Sequence, residues 1–214
     1  MKVAVTYENG EVFPHFGRTP QFKIYEVEDR EVNYLKMFNN LHPDFFDDPG
    51  ICGMPKDWVF SELIMDLHKD SPREIVPHCP ENITFDEYKG DVSRLRKAVN
   101  EVDEDWVQYF GEWSRVFCAF DKDEVVAFCI LSDFGTKDNL KIGGPGCVGT
   151  IPKYREKGIG LEMVRRATVL LKKERYDISW IHYTHIENWY KKLGYETVLK
   201  WNSDGIVMEK QHEE

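Results

Sequence analysis

Cysteine is scarce in this chain of 214 residues and gives no pattern. The five cysteines, Cys52, Cys79, Cys118, Cys129 and Cys147, are odd in number and scattered, without a Cys-x-x-Cys pair. A disulfide framework and a structural zinc site are therefore poor readings, and a reducing, cytoplasmic setting fits better. Long apolar runs are missing too. None reaches the ~20 residues that a membrane-spanning helix needs. The opening Met-Lys-Val-Ala-Val-Thr-Tyr-Glu has one lysine and no long apolar core, so it does not read as a signal peptide. Basic residues are outnumbered, 28 against 38 acids, for a formal net charge of −10. That balance argues against nonspecific nucleic-acid binding, which depends on cationic contacts to phosphate. It is compatible with a cationic or amine ligand.

The positive charge that does exist is concentrated. Between Ile151 and Arg175 stand Lys153, Arg155, Lys157, Arg165, Arg166, Lys172, Lys173 and Arg175, opposed by Glu156, Glu162 and Glu174. This stretch begins with Val148-Gly149-Thr150-Ile151-Pro152-Lys153-Tyr154-Arg155-Glu156-Lys157-Gly158-Ile159-Gly160. It reads as a strand end, a proline-marked turn and the start of an amphipathic helix. Ile159, Met163, Ala167 and Leu170 form its apolar stripe, which Leu161, Val164 and Leu171 widen. The first turn of a helix presents unpaired N–H groups and the positive end of the dipole, and glycine admits a close anion. The implied ligand is a pyrophosphate. A Walker loop is excluded because no Gly-Lys-Ser/Thr follows, and the Rossmann fingerprint because it needs a third glycine and a later acid.

The Arg155-x-x-Gly158-x-Gly160 core resembles the acetyl-coenzyme A signature of the GNAT family of N-acetyltransferases. Further on, Trp189-Tyr190-Lys191-Lys192-Leu193-Gly194-Tyr195 resembles the same family's closing Tyr-x-Lys-Leu-Gly-aromatic motif. The resemblance runs from about Asn82 to the C-terminus. It implies an α/β fold, a mixed sheet with helices, in which two parallel strands splay to admit the pantetheine arm. Those strands would be Leu140 to Ile151 and Ile178 to Tyr183. It implies acetyl transfer from acetyl-CoA, with no metal, to a primary amine on a small molecule or peptide. The backbone from Lys157 to Gly160 would grip the pyrophosphate, with Arg155, Glu156 and Ile159 in the same loop. Cys147, Val148, Gly149 and Thr150 would pair with the pantetheine, and Asn188 would hydrogen-bond to it. Tyr190 aligns with the family's general acid. The family often has Asn and Ala seven and four residues before that tyrosine, where this chain has Tyr183 and Ile186. No residue stands out as the general base; Asp133, His182, His185 and Glu187 are the candidates near the site. A module of the same fold that holds acyl-CoA without turnover is the alternative. No nucleic-acid or membrane partner is expected, and a homodimer is compatible with the reading.

The N-terminal part is a different matter. Lys2 to Thr6, Glu11 to Phe13 and Gln21 to Glu28 are β-prone, with Asn9-Gly10 as a hairpin turn. Glu31 to Met37 extends this sheet. The segments Lys2-Val3-Ala4-Val5, Glu8-Asn9-Gly10, His15-Phe16-Gly17 and Phe22-Lys23-Ile24-Tyr25 resemble the start of a dinitrogenase iron–molybdenum cofactor-binding domain. A metal-handling role there would rest on His15 alone. Phe38 to Met54 reads as loop, Trp58 to Lys69 as a helix, and the prolines from Asp70 to Glu81 as a linker. The expected organisation is an N-terminal extension, residues 1–80, and a transferase domain, residues 81–214.

In that second unit the expected elements are a strand at Ile83 to Tyr88 and a helix capped by Asp91. A short helix opens at Asp103-Glu104-Asp105. A hairpin joins Arg115–Phe120 to Glu124–Leu131. Thr184-His185-Ile186-Glu187 reads as a capping box that starts a helix at Thr184, and Gly194 closes that helix. A last hairpin joins Glu196–Trp201 to Gly205–Glu209.

Overall fold

The computed structural model describes residues 57–74 and 79–208 in full, and only the backbone of Lys2–Glu8, Glu11–Val12, Gln21–Glu26 and Glu209. The expectations for Glu31–Met37, Phe38–Met54 and His15 lie outside the described residues.

Three strands open the chain: β1 (Lys2–Glu8), β2 (Glu11–Val12) and β3 (Gln21–Glu26). They form an antiparallel sheet in the order β2-β1-β3. Tyr7 lies opposite Val12 and Glu8 opposite Glu11, and the expected Asn9-Gly10 turn between them lies outside the described residues.

The remaining strands form one eight-stranded sheet. They are β4 (Phe60–Asp66), β5 (Ile83–Glu87), β6 (Val116–Asp121), β7 (Glu124–Lys137), β8 (Leu140–Thr150), β9 (Ile178–Thr184), β10 (Glu196–Asn202) and β11 (Gly205–Glu209). Their order is β11-β10-β4-β9-β8-β7-β6-β5. Every neighbouring pair is antiparallel except β8 and β9. β7 outruns its expected end at Leu131 and turns into β8 through Asp138-Asn139, both at positive φ (52° and 63°). That is the backbone a tight hairpin with the strands' own twist demands.

Two sequence expectations fail at β4. Trp58 to Lys69 forms a strand, not a helix, and it lies between β9 and β10, inside the sheet assigned to residues 81–214. Both faces of β4 are buried, so its sequence lacks the alternation that marks a half-exposed strand. Leu63, Met65 and Leu67 pack into the main core with Ile159, Met163 and Tyr190. The following segment is tied down as well. Leu67 N–H donates to the Asp177 carbonyl, Arg73 N–H to the Leu193 carbonyl, and Lys172 Nζ to the Asp70 carbonyl. The sheet therefore begins upstream of Glu81, and a division between residues 80 and 81 does not follow it.

Three α-helices are described. α1 (Val92–Asn100) starts at Asp91, whose carboxylate accepts from Ser93 N–H at 2.7 Å. With Leu95, Val99 and Phe110 it covers one face of β6 and β7 at Val116, Cys118 and Phe128. The segment Glu104–Tyr109 is a 3₁₀ helix capped by Asp103, rather than an α-helix. α2 (Ile159–Lys173) crosses the opposite face and buries Ile159, Met163, Val164, Ala167 and Leu171. A buried hydroxyl chain fixes it to β9: Tyr195 Oη lies 2.7 Å from Thr168 Oγ1 and 2.6 Å from Ser179 Oγ.

α3 (Glu187–Lys191) has Ile186 as its N-cap, two residues later than the capping-box expectation. Thr184 is still strand, and its hydroxyl accepts from Ile186 N–H. Glu187 does not reach back to the helix start. It holds Lys200, Lys191, Thr197 and Ser61 instead. Ion pairs and donors from other elements outcompete a single local amide.

Candidate active site

The site is built where β8 and β9 separate. Their parallel pairing consists of Ile142 opposite Ile178 and Gly143 opposite Ser179. β8 then continues to Thr150 along β7, while β9 continues to Thr184 along β4. The two strands thus open as a V, as the resemblance implied. Gly144 sits at the vertex, where an added Cβ would lie 1.9 Å from the Trp180 carbonyl oxygen. Only glycine allows the backbones so close. Beyond the vertex, the register of β7 against β8 jumps between Ile130–Gly146 and Phe128–Gly149. Two residues, Cys147 and Val148, oppose Cys129 alone, and Cys147 has φ 45°. This is a β-bulge, which twists β8 and re-aims its backbone at the mouth of the V.

A cavity of about 690 Å³ adjoins the V. Val148, Gly149 and Thr150 line it from β8. Arg155, Glu156, Gly158, Ile159, Gly160 and Leu161 line it from the turn and the start of α2. Ile186, Trp189, Tyr190 and Lys192 close it from α3, with Glu74, Val102 and Tyr154 at the rim. Gly158 is the N-cap of α2, left-handed at φ 73°, and no side chain caps the helix. The first-turn N–H groups and the dipole thus face a cavity with no side-chain acceptor of their own.

The turn is held from outside. Arg155 Nε donates to the Thr150 carbonyl at 3.0 Å and Lys157 Nζ to the Lys153 carbonyl at 3.1 Å. Tyr154 Oη donates to Asp121 at 2.9 Å.

Of the site residues expected from sequence, Val148, Gly149, Thr150, Arg155, Glu156, Gly158, Ile159, Gly160 and Tyr190 meet at this cavity. Cys147, Lys157 and Asn188 are not among its lining residues. Cys147 is half-buried in the bulge, and burial raises its thiol to about 11. Asn188 is exposed on α3. Gly160 has a packing duty besides any ligand duty: an added Cβ would lie 2.4 Å from Thr150 Oγ1. α2 can approach β8 there only without a side chain.

Tyr190 is buried, 5% exposed, with Trp189 edge-on to its ring at 4.8 Å. Burial pushes its phenol above the usual value, with smaller contributions from Cys129, Tyr195 and Cys147. It therefore keeps its proton through the ordinary pH range, as a proton donor must.

The base candidates separate clearly. Burial would raise Glu187, but Lys200, Thr197 and Lys191 together hold it down at about 2. It is a structural anion. His182 is held below its usual value by desolvation and lies against Trp180 and Phe134. Sequence reasoning missed Glu62 of β4, which is 5% exposed. Its carboxylate accepts from Trp180 Nε1 and Trp201 Nε1, both at 2.9 Å, and from Tyr183 N–H at 3.1 Å. Burial raises it to about 7, against the lowering effect of these three donors. The only signal in sequence was a single acid inside the apolar run from Trp58 to Met65.

Residues 112–197 match the family model described as "Acetyltransferase (GNAT) domain". Residues 1–58 match that described as "Dinitrogenase iron-molybdenum cofactor". Among solved structures, the chain is similar to the GCN5-related glucosamine N-acetyltransferase region of a fungal multi-domain GH3 β-N-acetylglucosaminidase. The TM-score is 0.58 at 23% identity, over 89% of this chain and 24% of that one. The fold is the GNAT acetyltransferase fold. GCN5-related N-acetyltransferases from Sphaerobacter thermophilus and Kribbella flavida align with TM-scores of 0.49 and 0.46, at 15% and 16% identity. They cover 66% and 65% of this chain and 49% and 54% of theirs. The chain thus spans between about a quarter and about a half of the solved relatives' lengths. No curated protein matches it. Among the described residues, no three His, Cys, Asp or Glu side chains group as metal ligands, and no helix is long and apolar enough to cross a membrane.

Proposed function

We propose that the chain is an N-acetyltransferase that moves an acetyl group from acetyl-CoA to a primary amine by direct attack. The observation that carries this reading is the continuity of the V between β8 and β9 with the cavity at the uncapped start of α2. The first-turn amides at Ile159 and Gly160 suit a pyrophosphate, and Arg155 adds positive charge beside them. The β8 edge beyond the bulge, Val148 to Thr150, offers backbone groups that β9 does not take, which suits the amides of a pantetheine arm. Tyr190 stands at the cavity wall with its proton retained, where it can donate to a departing thiolate. Cys147, Lys157 and Asn188 receive no role in this reading. The unit that does this work includes β4, so it begins before residue 60.

Similarity to the fungal glucosamine N-acetyltransferase region makes glucosamine a reasonable first acceptor to try, alongside spermidine, 2-phenylethylamine and lysine. Acetyl-CoA should raise the melting temperature in a concentration-dependent way, and at least one of the four amines should provoke release of free thiol. A flat melting curve up to millimolar acetyl-CoA would refute the reading. Thermal protection without thiol release from any amine would favour a module that holds acyl-CoA without turnover.

A further inference from the structure

Side chains alternate along β9. Ser179 and Ile181 face α2: Ser179 joins the hydroxyl chain to Thr168, and Ile181 joins the core with Met163. Trp180 and His182 therefore face the other side of the sheet, and Glu62, which accepts from the Trp180 indole, lies there with them. The cofactor cavity is built on the α2 side, and beyond Gly143 and Ser179 no strand pairing closes the sheet between β8 and β9. An acceptor that reaches a thioester threaded through the V from the side away from α2 meets Trp180, His182 and Glu62.

The environment of Glu62 is unusual for a buried acid. A carboxylate has about four lone-pair directions. Two donors meet Oε1 and one meets Oε2, so among the described residues one direction on Oε2 is uncommitted. No cation pairs with it among the described residues. Lys200 of β10 bonds Glu187 on the opposite face. The titratable side chains on the Glu62 face are Tyr183, stacked on Phe60, His182 against Trp180, His185 edge-on to Phe60, and, further along the strands, Asp66, which pairs with Lys69, and Glu196 opposite Ile64. Rings surround the spot: Phe134 is 4.9 Å from Trp180, and Phe60 stacks on Tyr183 at 4.4 Å. A buried acid with neutral donors, a spare lone pair and aromatic faces around it is suited to an incoming ammonium, which both the rings and the carboxylate attract.

We propose that Glu62 Oε2 accepts the proton of the acceptor's primary ammonium, so that the catalytic base comes from a strand outside the segment that matches the acetyltransferase domain. The proposal rests on the acetyltransferase reading above. The ammonium gives one proton to Glu62 and becomes a free amine. The amine nitrogen attacks the thioester carbonyl, the C–S bond breaks, and Tyr190 gives its proton to the leaving sulfur. The second proton lost by the nitrogen restores Tyr190, and Glu62 returns its own proton to water. A carboxyl of raised affinity, near 7, is matched to this task at neutral pH, whereas one at the ordinary value would hold the proton too weakly.

The test compares wild type with Glu62→Gln and Glu62→Asp in thiol release from acetyl-CoA, using whichever of the four named amines is turned over, from pH 5.5 to 9. The wild-type kcat/KM should rise with a limb near pH 7. Glu62→Gln should lose that limb and about 10²–10⁴-fold in kcat, with acetyl-CoA affinity unchanged. Glu62→Asp should keep a rising limb, displaced along the pH axis, at reduced rate. A Glu62→Gln protein with the wild-type profile and rate overturns the proposal and leaves the acetyltransferase reading standing. If Glu62→Gln does not fold, the wild-type profile decides: a limb near 7 that Glu62→Asp displaces supports the proposal, and a profile flat through 7 overturns it. If wild type releases no thiol with any amine, the acetyltransferase reading fails and this proposal with it.

Discussion

A protein that starts at Glu81 should not fold, although it retains every residue of the acetyl-CoA motifs. The deletion removes β4 from between β9 and β10, where it pairs with both. It strips the core of Leu63, Met65 and Leu67, which are 0%, 2% and 2% exposed. Burial of such a side chain contributes ~1.5–3 kcal/mol, so the three together supply roughly 5–9 kcal/mol. Whole domains are stable by only ~5–15 kcal/mol. Both strand edges left behind would also face each other across a missing strand, a template for aggregation. A start at Asp57 keeps β4 and should retain a cooperative melt and acetyl-CoA protection. The assay is thermal unfolding by circular dichroism, with and without acetyl-CoA, on the two truncations. A soluble Glu81 protein with a cooperative transition that acetyl-CoA raises would refute the argument, and would mean that β4 is an accessory to an independently stable sheet.

Two further outcomes follow from the site. Tyr190→Phe should keep acetyl-CoA affinity and lose about 10²–10⁴-fold in turnover, without a change in the shape of the pH profile, because the buried phenol does not titrate within the assay range; near-normal turnover where chemistry is limiting would remove Tyr190 from the mechanism. Gly160→Ala should destabilise the fold by ~1–3 kcal/mol through the collision with Thr150 Oγ1, and Thr150→Ala in the same chain should restore the stability seen in denaturant melts. If acetyl-CoA affinity stays low in that double variant, Gly160 also serves the ligand; if affinity returns, its role is packing.

What the chain's own residues settle without the fold is local. The start of α2 at Gly158 and the cap at Asp91 each depend on a few adjacent residues. So do the Glu124 and Gly205 hairpins, and each formed as its residues imply. α2 was legible because one face is apolar and the other charged, a pattern that survives wherever the helix packs. The rest depended on partners far along the chain. β4 meets Trp180 and Trp201, more than 100 residues away, and burial of both its faces erased the alternation that would have marked it as a strand. Thr184 and Glu187 have the spacing of a capping box. Only the approach of Lys200 and Thr197 decided that Glu187 would serve them instead. Glu62 is the sharpest case. Its neighbours mark it only as an acid within an apolar run, because its raised proton affinity comes from desolvation between strands, and burial belongs to the tertiary structure alone. In the same way the pairing of Gly160 with Thr150 was invisible beside the motif, since a close approach of helix and sheet has no local signature.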